Sequence, residues 1–297
     1  MKKKLIRFFM RLLAAMPLGV HHFNAHIVGW IARVLVRYRR KVVQDNIDKA
    51  FPELGGKERK KICRDFYLHF GQLVCETIWF GGSKKERLVK SGIVNIVNPE
   101  EIRRLHESVP GTVVLCSHMG NWEIYGGTPY FDSGHTLTKD NCGVVYRRLR
   151  NAMWDDIFKE NRLYCFEGGF ENYIESSNII RHMYGNADKK MFYFIITDQW
   201  PYFKAPSYIE VNFMGRRTRT MSGAAQVARR YSLAVSYLSM RRREKGKGYD
   251  MEFVPICDNA ATMDLQSIMD KYYSLLEQDI RKDPGNYLWS HRRWKKY

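Results

Sequence analysis

The sequence lacks the long apolar run, the low-complexity linker and the internal repeat that mark membrane-spanning, disordered or solenoid proteins. Its longest uncharged stretch, residues 12–32, is long enough to span a bilayer, but Pro17, Gly19 and several polar side chains interrupt its apolar character. With 297 residues, of which 45% are hydrophobic, the chain can bury a full core. We therefore expect one folded domain with an N-terminal extension.

Paired cysteines and a zinc-protease motif are also missing. The six cysteines are scattered and form no CxxC pair, and several lie in apolar runs, which is typical of buried reduced thiols. The HExxH motif is absent. His21, His22 and His26 have a spacing compatible with a metal ion, but no carboxylate or cysteine stands near them in the sequence. We expect neither a metal ion nor another cofactor.

Acidic residues are few relative to basic ones. Lysine and arginine number 49 against 31 aspartates and glutamates, which gives a formal net charge of +18. A field of this sign attracts anions, among them nucleic acid, acidic lipid head groups, phosphorylated substrates and an acidic carrier protein. The arginine-rich segments 216–219 and 241–243 are expected to be solvated loops that add to this field.

The N-terminal residues have the pattern of a basic amphipathic helix. One helical face carries the apolar residues of this segment: Leu5, Phe8, Phe9, Leu12, Leu13 and Met16. Arg7 and Arg11 fall on the other face, behind three consecutive lysines. A helix packed on the protein's own core would show the same periodicity, but the basic residues favour a helix that lies in a membrane interface. We assign residues 1–40 to membrane-associating helices and 41–297 to the main domain.

Short apolar runs alternate with helical patterns from residue 111 onward. The predicted strands are 112–116, 143–146, 191–197, 208–213, 233–239 and 250–256. Helices are predicted over 27–36, 57–79, 223–231 and 265–282. Ser222 and Asp264 are the candidate N-caps of the last two helices. This alternation predicts an α/β fold with a mixed, mainly parallel sheet flanked by helices.

A histidine and a glutamate flank a turn directly after the first of these strands. His118 and Glu123 are separated by Gly120-Asn121, which is turn chemistry, and Asn121 is a good helix N-cap. The turn lets the two side chains converge, so that Glu123 fixes the imidazole tautomer and leaves the other nitrogen to accept a proton. Without a serine nucleophile elbow, the base would activate a hydroxyl of the substrate. The alternative is a histidine that caps a strand end and a surface glutamate.

Other candidate site residues carry weaker patterns. Asp198-Gln199 follows an apolar run, at a strand end where α/β sites collect, although an aspartate that only ends the strand fits as well. Arg147 and Arg162 could fork onto a phosphate or carboxylate, or they could be ordinary surface arginines. His291-Arg292-Arg293 could form a platform for anionic head groups, or the neighbouring tryptophans could pack this segment onto the core.

Six segments in the same order resemble the lipid A late acyltransferases of the lysophospholipid-acyltransferase-like family. The block 117–123 is similar to the family's HxxxxE motif, and 46–54 resembles its "N…AFPEL" segment, followed by Phe70-Gly71 and Glu76. Val145-Tyr146-Arg147 and Asn151 resemble its "YRP…NP" block, followed by Arg162, although Arg148 and Ala152 replace the two prolines. Thr197-Asp198-Gln199-Trp200-Pro201 matches its "DQ" strand end, and 287–295 matches its C-terminal "W-x-HRR-W/F-K" motif. The resemblance extends from about residue 40 to the end.

The resemblance implies an acyltransferase that uses His118 and Glu123 in catalysis without a covalent acyl-enzyme. The substrate-binding residues that it implies are Asn121, Trp122, Tyr146, Arg147, Arg162, Asp198 and Gln199. Backbone N–H groups around Gly120 and Asn121 are the candidate donors to the oxyanion. The acyl chain would arrive as a thioester on acyl carrier protein, and the acceptor would be an anionic lipid A precursor. The enzyme would act at the cytoplasmic face of the inner membrane, anchored by its N-terminal segment.

Two alternatives stay open from the sequence. The same chemistry could act on another acceptor, such as an amino-acid-derived lipid or an inositol glycolipid, because transfer motifs do not report the acceptor. A basic membrane-surface or nucleic-acid-binding protein without catalysis would also fit the clustered arginines and aromatics. The sequence has no recognised nucleic-acid module, so we expect no nucleic-acid partner. Acyl chain length, the choice between carrier protein and coenzyme A as donor, and the oligomeric state are not encoded in these motifs.

Overall fold

The computed structural model describes residues 2–199, 201, 208–243 and 247–294. Trp200 and Lys295, which belong to two of the matched segments, lie outside the described residues. The α-helices are Lys2–Ala14 (α1), Leu18–Trp30 (α2), Arg40–Ala50 (α3), Gly56–Phe80 (α4), Lys85–Ser91 (α5), Pro99–Ser108 (α6), Thr128–Phe131 (α7), Ala152–Leu163 (α8), Ile179–Gly185 (α9), Gly223–Arg230 (α10) and Leu265–Lys282 (α11). The strands are Val94–Ile96 (β1), Thr112–Cys116 (β2), Cys142–Tyr146 (β3), Tyr173–Glu175 (β4), Phe192–Ile196 (β5), Tyr208–Phe213 (β6), Arg216–Met221 (β7), Ala234–Arg242 (β8) and Tyr249–Cys257 (β9).

Seven strands form one sheet in the order β1-β9-β8-β2-β5-β3-β4. The β8–β9 pair is antiparallel, and the other pairs among the described strands of this sheet are parallel. This confirms the predicted α/β fold with a mixed, mainly parallel sheet. The six predicted strands all occur: five have bounds within one residue of the prediction, and β8 extends three residues further than predicted.

Strand β2 lies in the middle of the sheet, and all five of its residues are buried. Its side chains alternate between two apolar cores: Val113 and Leu115 belong to one, and Val114 and Cys116 to the other. A strand covered on both faces needs no polar side chain, which explains the unbroken apolar run in the sequence. The residues that follow β2 are therefore held at the edge of a rigid layer.

Two arginine-rich segments were wrongly predicted to be loops. Residues Arg216–Met221 form β7, which pairs with β6 in a separate antiparallel hairpin, and Arg219 forms an ion pair with Glu210 at 3.3 Å. Arg242 ends β8 and pairs with Asp283. The alternation in β7 is carried by threonines, since Thr218 and Thr220 are the buried residues, so an apolar pattern could not reveal it.

The N-terminal helices leave an apolar surface uncovered by the described residues. Leu5, Phe8, Phe9 and Leu12 of α1 are each more than half exposed, so this face is not packed on the protein's own core. Two basic residues on the other face, Lys3 and Arg7, instead pair with Asp156 and Glu160 of α8. None of the helices described in the chain is both long and apolar enough to cross a bilayer.

Helix α2 packs closely against α4, and a π-helical turn, Ile31–Leu35, extends it. A Cβ atom on Gly29 would lie 2.5 Å from the backbone oxygen of Tyr67, and one on Gly71 would lie 2.1 Å from that of Ala25. The two glycines therefore allow the helix backbones to approach, which fixes α2 on the helix that supports the site described below.

Of the two predicted helix N-caps, Asp264 is confirmed and Ser222 is not. The Asp264 side chain accepts a hydrogen bond from the Ser267 backbone N–H at 2.9 Å, which confirms it as the cap of α11. Ser222 stands at the cap position of α10 but caps no backbone N–H there; its hydroxyl contacts the Gln226 side chain instead.

Candidate active site

His118 lies two residues beyond the carboxyl end of β2, where the chain turns sharply. Gly120 has a positive φ of 63°, and a Cβ atom at this position would lie 2.7 Å from Met240 Cγ. Asn121 then caps a 3₁₀ helix, Trp122–Gly127, because its side-chain oxygen accepts a hydrogen bond from the Glu123 N–H at 3.2 Å. This strand–turn–helix unit agrees with the sequence analysis, and the glycine is required both by its conformation and by the space available.

Asp198 stands beside His118 because their strands are parallel neighbours. The register pairs Cys116 of β2 with Ile196 of β5, so the residues two positions beyond each strand also lie side by side. The imidazole Nδ1 is 2.6 Å from Asp198 Oδ1, and the backbone N–H of His118 donates to Oδ2 at 3.2 Å. Asp198 is fully buried and His118 nearly so. The aspartate thus holds both the backbone and the ring of the histidine.

The charge of Asp198 is stabilised from a second direction. The hydroxyl of Tyr287 donates to Oδ2 at 2.9 Å, and the Arg293 guanidinium donates to the same oxygen at 3.0 Å. Burial alone would raise the pKa of this carboxyl, but the charges of His118 and Arg293 and the hydrogen bonds from His118 outweigh burial and hold the pKa below its usual range. An ionised Asp198 accepts from Nδ1–H, which leaves Nε2 as the proton-accepting nitrogen.

Gln199 occupies the proton-accepting side of the imidazole. Its amide nitrogen lies 2.9 Å from His118 Nε2, so the amide N–H donates when the ring is neutral. Trp122 packs edge-on against the same ring, with 4.8 Å between centroids. The predicted site residues Asn121, Trp122, Asp198 and Gln199 therefore all lie in the turn itself or against the histidine.

Glu123 does not orient His118, so the predicted partner of the histidine was wrong. Within the described residues no hydrogen bond joins the two side chains. Both Glu123 oxygens face α8, where Arg162 donates to them at 2.7 and 2.9 Å, and the Trp122 indole N–H donates at 3.1 Å. The physical reason is that the 3₁₀ helix after Asn121 turns Glu123 toward a guanidinium fork that matches a carboxylate in shape.

The Glu123–Arg162 pair brings a further predicted residue into the site. Arg162 also donates to the Tyr173 hydroxyl at 2.8 Å, and Tyr146 stacks on Tyr173 with 4.0 Å between ring centroids. Burial would lower the pKa of Arg162, but the adjacent Glu123 charge raises it beyond its ordinary value. Arg147 follows directly after β3 and is exposed. Tyr146 and Arg162 thus share one cluster with Glu123, whereas Arg147 faces solvent beside it.

The C-terminal segment supplies residues that the sequence analysis did not assign to catalysis. Met119 and Tyr287 form a backbone bridge, and the Leu288 N–H donates to the His118 carbonyl at 3.2 Å. Arg293 and Trp289 are buried, so this segment packs onto the core rather than forming a head-group platform at these two residues. The matched C-terminal motif was the available signal for Tyr287 and Arg293, but nothing local in it points to Asp198.

Helix α4 supports the turn after His118 through two of its buried side chains. Glu76 accepts hydrogen bonds from the Asn121 side-chain amide at 3.1 Å and from the Tyr249 hydroxyl at 2.8 Å. The His69 Nε2 lies 3.1 Å from the Gly120 carbonyl, to which it donates. Burial lowers the pKa of His69 to about 3, so this imidazole is neutral at ordinary pH. Two buried polar side chains of α4 thus hold the turn, one at the backbone carbonyl of Gly120 and the other at the side-chain amide of Asn121.

One predicted oxyanion donor is already engaged. The Gly120 N–H donates to the Asn286 carbonyl at 3.1 Å, so it is not available to a reaction intermediate. The expectation for Gly120 was therefore wrong, because the C-terminal segment uses this group to dock on the turn. Among the residues that the structure describes, no group of three or more histidine, cysteine, aspartate or glutamate side chains could hold a metal ion.

A histidine lies just beyond the end of a buried parallel strand, and an ionised aspartate from the neighbouring strand holds its ring in one tautomer, an arrangement in which the other ring nitrogen can accept a proton. The sequence model of a family described as bacterial lipid A biosynthesis acyltransferase matches residues 3–296. The chain belongs to this family, and the resemblance described above is confirmed.

Three relatives share about a fifth of their aligned residues with this chain, and the alignments cover most of both lengths. A lipid A biosynthesis palmitoleoyltransferase of Escherichia coli (strain K12) is 22% identical over 284 residues, which cover 94% of this chain and 86% of the relative. A lipid A biosynthesis acyltransferase of Shigella flexneri matches to the same extent. A lipid A biosynthesis lauroyltransferase of Escherichia coli (strain K12) is 23% identical over 270 residues, which cover 90% of this chain and 83% of the relative.

Proposed function

We propose that this protein transfers a fatty acyl chain from an acyl-carrier-protein thioester to a hydroxyl of a lipid A precursor. The observation that carries the proposal is the 2.6 Å contact between His118 Nδ1 and Asp198, in a chain that belongs to an acyltransferase family. It leaves Nε2 as the base at the edge of the sheet. The relatives named above carry different acyl groups in their names, so neither name defines the acyl chain used here.

In the proposed reaction, the two nitrogens of the His118 ring have different roles. His118 Nε2 accepts the proton of the acceptor hydroxyl while the oxygen attacks the thioester carbonyl, and Asp198 stabilises the imidazolium that forms. The tetrahedral intermediate then expels the carrier thiolate, which takes the proton from Nε2. The hydroxyl must replace the Gln199 amide at Nε2, and the displaced amide N–H becomes a donor for the oxyanion.

Glu123 has a positioning role in this proposal. Its carboxylate holds Arg162 and the Trp122 indole, and Trp122 contacts the histidine ring. The Arg162–Tyr173–Tyr146 cluster forms one side of the substrate site, and exposed Arg147 beside it binds an anionic group of the acceptor or donor.

The net charge of the chain and the exposed apolar faces of its N-terminal helices support the proposed partners and location. An acidic carrier protein and a phosphorylated lipid both complement a net charge of +18. The uncovered apolar faces of α1 and α2 support attachment of residues 1–40 to the cytoplasmic face of the inner membrane, with residues 41–297 as the acyltransferase domain. The mechanism requires no metal ion or other cofactor, since the base and the thioester supply the chemistry.

Mass spectrometry of products from purified enzyme, acyl carrier protein thioester and a lipid A precursor tests this function. Wild-type protein should form an acylated precursor, and His118→Ala should lose about 10²–10⁴ in rate because the general base is gone. His135→Asn, a change at an exposed histidine whose positive φ asparagine tolerates, is the matched control and should keep the wild-type rate.

Three results would contradict the proposal. An unaltered rate with His118→Ala would exclude the general base. Transfer to an amino-acid-derived lipid or inositol glycolipid, with no transfer to the lipid A precursor, would keep the chemistry and replace the acceptor. Salt-sensitive DNA binding without any acyl transfer would favour a non-catalytic protein instead.

A further inference from the structure

A basic cleft lies where the N-terminal helices meet the first turns of α4. It has a volume of about 490 Å³, and seven of its eleven lining residues are arginine or lysine. Arg33 lines it from the π-helical turn, Arg37 from the short segment after that turn, and Arg40 from the start of α3. Lys57, Lys60, Lys61 and Arg64 line it from α4. These seven side chains are the cations of the basic cleft.

Most cations of the basic cleft have no carboxylate partner among the residues that the structure describes. Within the described residues, Arg64 is the one member that forms an ion pair, with its neighbour Asp65 at 3.6 Å. Arginines elsewhere, such as Arg104 and Arg281, each pair with two carboxylates. The amino-terminal end of the 25-residue helix α4 adds its partial positive charge to the cleft. An anion is the missing counterpart.

The basic cleft is continuous with an exposed apolar helix face. Phe23, Ile27, Trp30 and Val34 recur at the spacing of one helical face, and their exposed fractions are 68%, 47%, 54% and 38%. Val34 also lines the cleft, and Leu35 and Val36 beside it are more than half exposed. Apolar side chains edged by cations are the arrangement that a helix adopts in the boundary between head groups and acyl chains.

We propose that the basic cleft binds the phosphate groups of anionic phospholipids at the membrane surface on which the α2 face lies. One phospholipid molecule offers both chemistries that the surface needs: the acyl region covers Phe23 and Trp30, and the phosphate meets the cations at head-group depth. An acidic protein would neutralise the cations but leave the apolar face uncovered. The inference rests on the membrane placement proposed above and does not involve the acyl-transfer step.

Binding at this position would orient the active site toward the bilayer. Helix α4 carries the cleft on its first turns and, further along, His69 and Glu76, which hold the turn after His118. From Lys60 to His69 the axial distance is about 14 Å at the usual helical rise. A phospholipid held in the cleft therefore fixes the height of His118 relative to the surface from which the acceptor is drawn.

The double variant Lys60→Glu/Lys61→Glu tests the proposal by vesicle co-sedimentation of the full-length protein. Both side chains are exposed, and glutamate and lysine have similar helix propensities, so the fold is retained. On vesicles of phosphatidylcholine with phosphatidylglycerol, binding should weaken at least about tenfold, because each basic residue near such a surface contributes about 1 kcal/mol.

The matched control Arg229→Glu/Arg230→Glu makes the same change in net charge on α10, which packs against β2, β8 and α11. It should bind the same vesicles within about twofold of wild type. On pure phosphatidylcholine vesicles all three proteins should bind equally. Equal loss in both double variants would show a general charge effect and overturn the assignment of the cleft.

Transfer assays in detergent separate this inference from the proposed function. Lys60→Glu/Lys61→Glu should keep the wild-type kcat and KM for both substrates there. A large rise in KM for the carrier-protein thioester, with vesicle binding unchanged, would assign the cleft to the carrier protein and overturn the proposal. A rise in KM for the phosphorylated acceptor would assign it to the acceptor. Absence of transfer by wild-type protein would refute the function and leave the vesicle result to stand by itself.

Discussion

Side chains at the carboxyl end of the sheet and side chains of the N-terminal helices differ in burial and in pairing. At the sheet, His118, Asp198 and Arg293 are buried, and each is hydrogen-bonded to another of them. Along α2, Phe23 and Trp30 are exposed, and six of the seven cations of the basic cleft have no carboxylate partner among the described residues. The polar side chains of the first region are hydrogen-bonded to one another. The exposed apolar side chains and most of the cations of the second region are available to a partner from outside the chain.

This difference suggests separate roles for the two regions: the first for the proposed acyl-transfer chemistry and the second for attachment to a surface. A base whose tautomer is fixed by buried groups is preorganised, so little rearrangement is needed when the hydroxyl arrives. An apolar face edged by cations has the opposite property, since its interactions form on contact with a surface. Changes in the first region should therefore affect catalysis or folding, and changes in the second should affect attachment.

The largest expected effect comes from Asp198→Asn. It keeps the shape of the side chain but removes the charge that holds Nδ1–H and stabilises the imidazolium, so we expect the rate to fall about 10²–10⁴-fold. The acid limb of the pH–rate profile should also move to lower pH, because a protonated ring loses its counter-charge. Asp258→Asn, which alters an exposed aspartate paired with Arg104, is the control and should leave both measurements unchanged.

Glu123→Gln should have a smaller effect of a different kind. The carboxylate holds Arg162 and Trp122 rather than His118, so its loss should shift substrate-contacting groups and lower kcat/KM by up to about 10²-fold. The pH–rate profile should keep its shape. If this variant altered the profile while Asp198→Asn did not, Glu123 would be the orienting carboxylate after all.

The stability of the buried region should depend on pH through His69. Burial lowers its folded-state pKa from 6.5 to about 3, so between these values the unfolded chain binds a proton that the folded chain does not. The free energy of unfolding should therefore decrease as the pH falls below 6.5, by up to about 1.4 kcal/mol per pH unit from this residue.

Chemical denaturation at pH 7.5 and 5.5 measures this slope, and His69→Gln should reduce it by removing the titrating group. Other ionisable groups contribute equally to both proteins, so the difference between the two slopes isolates His69. An identical slope in wild type and variant would show that His69 is protonated in the folded state.

The smallest effect on stability is expected for Phe23→Ala, in contrast to the same change at Phe66. Phe66 is 1% exposed and lies in the core, so Phe66→Ala should cost about 3–5 kcal/mol of unfolding free energy. Phe23 is 68% exposed, and its replacement should change the stability measured in detergent by no more than about 0.5 kcal/mol. Phe23→Ala should nevertheless weaken vesicle binding. A large loss of stability from Phe23→Ala would mean that its face packs within the protein.

Local patterns predicted much of the fold. The apolar run Thr112–Cys116 gave a buried strand, and Gly120-Asn121 gave the turn and the helix cap, because strand burial, turn conformation and capping each depend on a few adjacent residues. Strand β7 was missed because its buried positions are threonines. The amphipathic pattern of residues 5–16 predicted the helix, and the structure then showed that its apolar face is not covered by the core.

By itself the sequence determined the family, the mainly parallel α/β sheet and the histidine at the end of a buried strand. Only the tertiary structure decided which carboxylate serves that histidine. Glu123 is five positions away in the chain but turns toward Arg162, whereas Asp198, 80 positions away, meets the imidazole because β2 and β5 are parallel neighbours in register. Sequence distance governs turns and caps, but contacts between strand ends are set by the order and register of strands, which no local pattern contains.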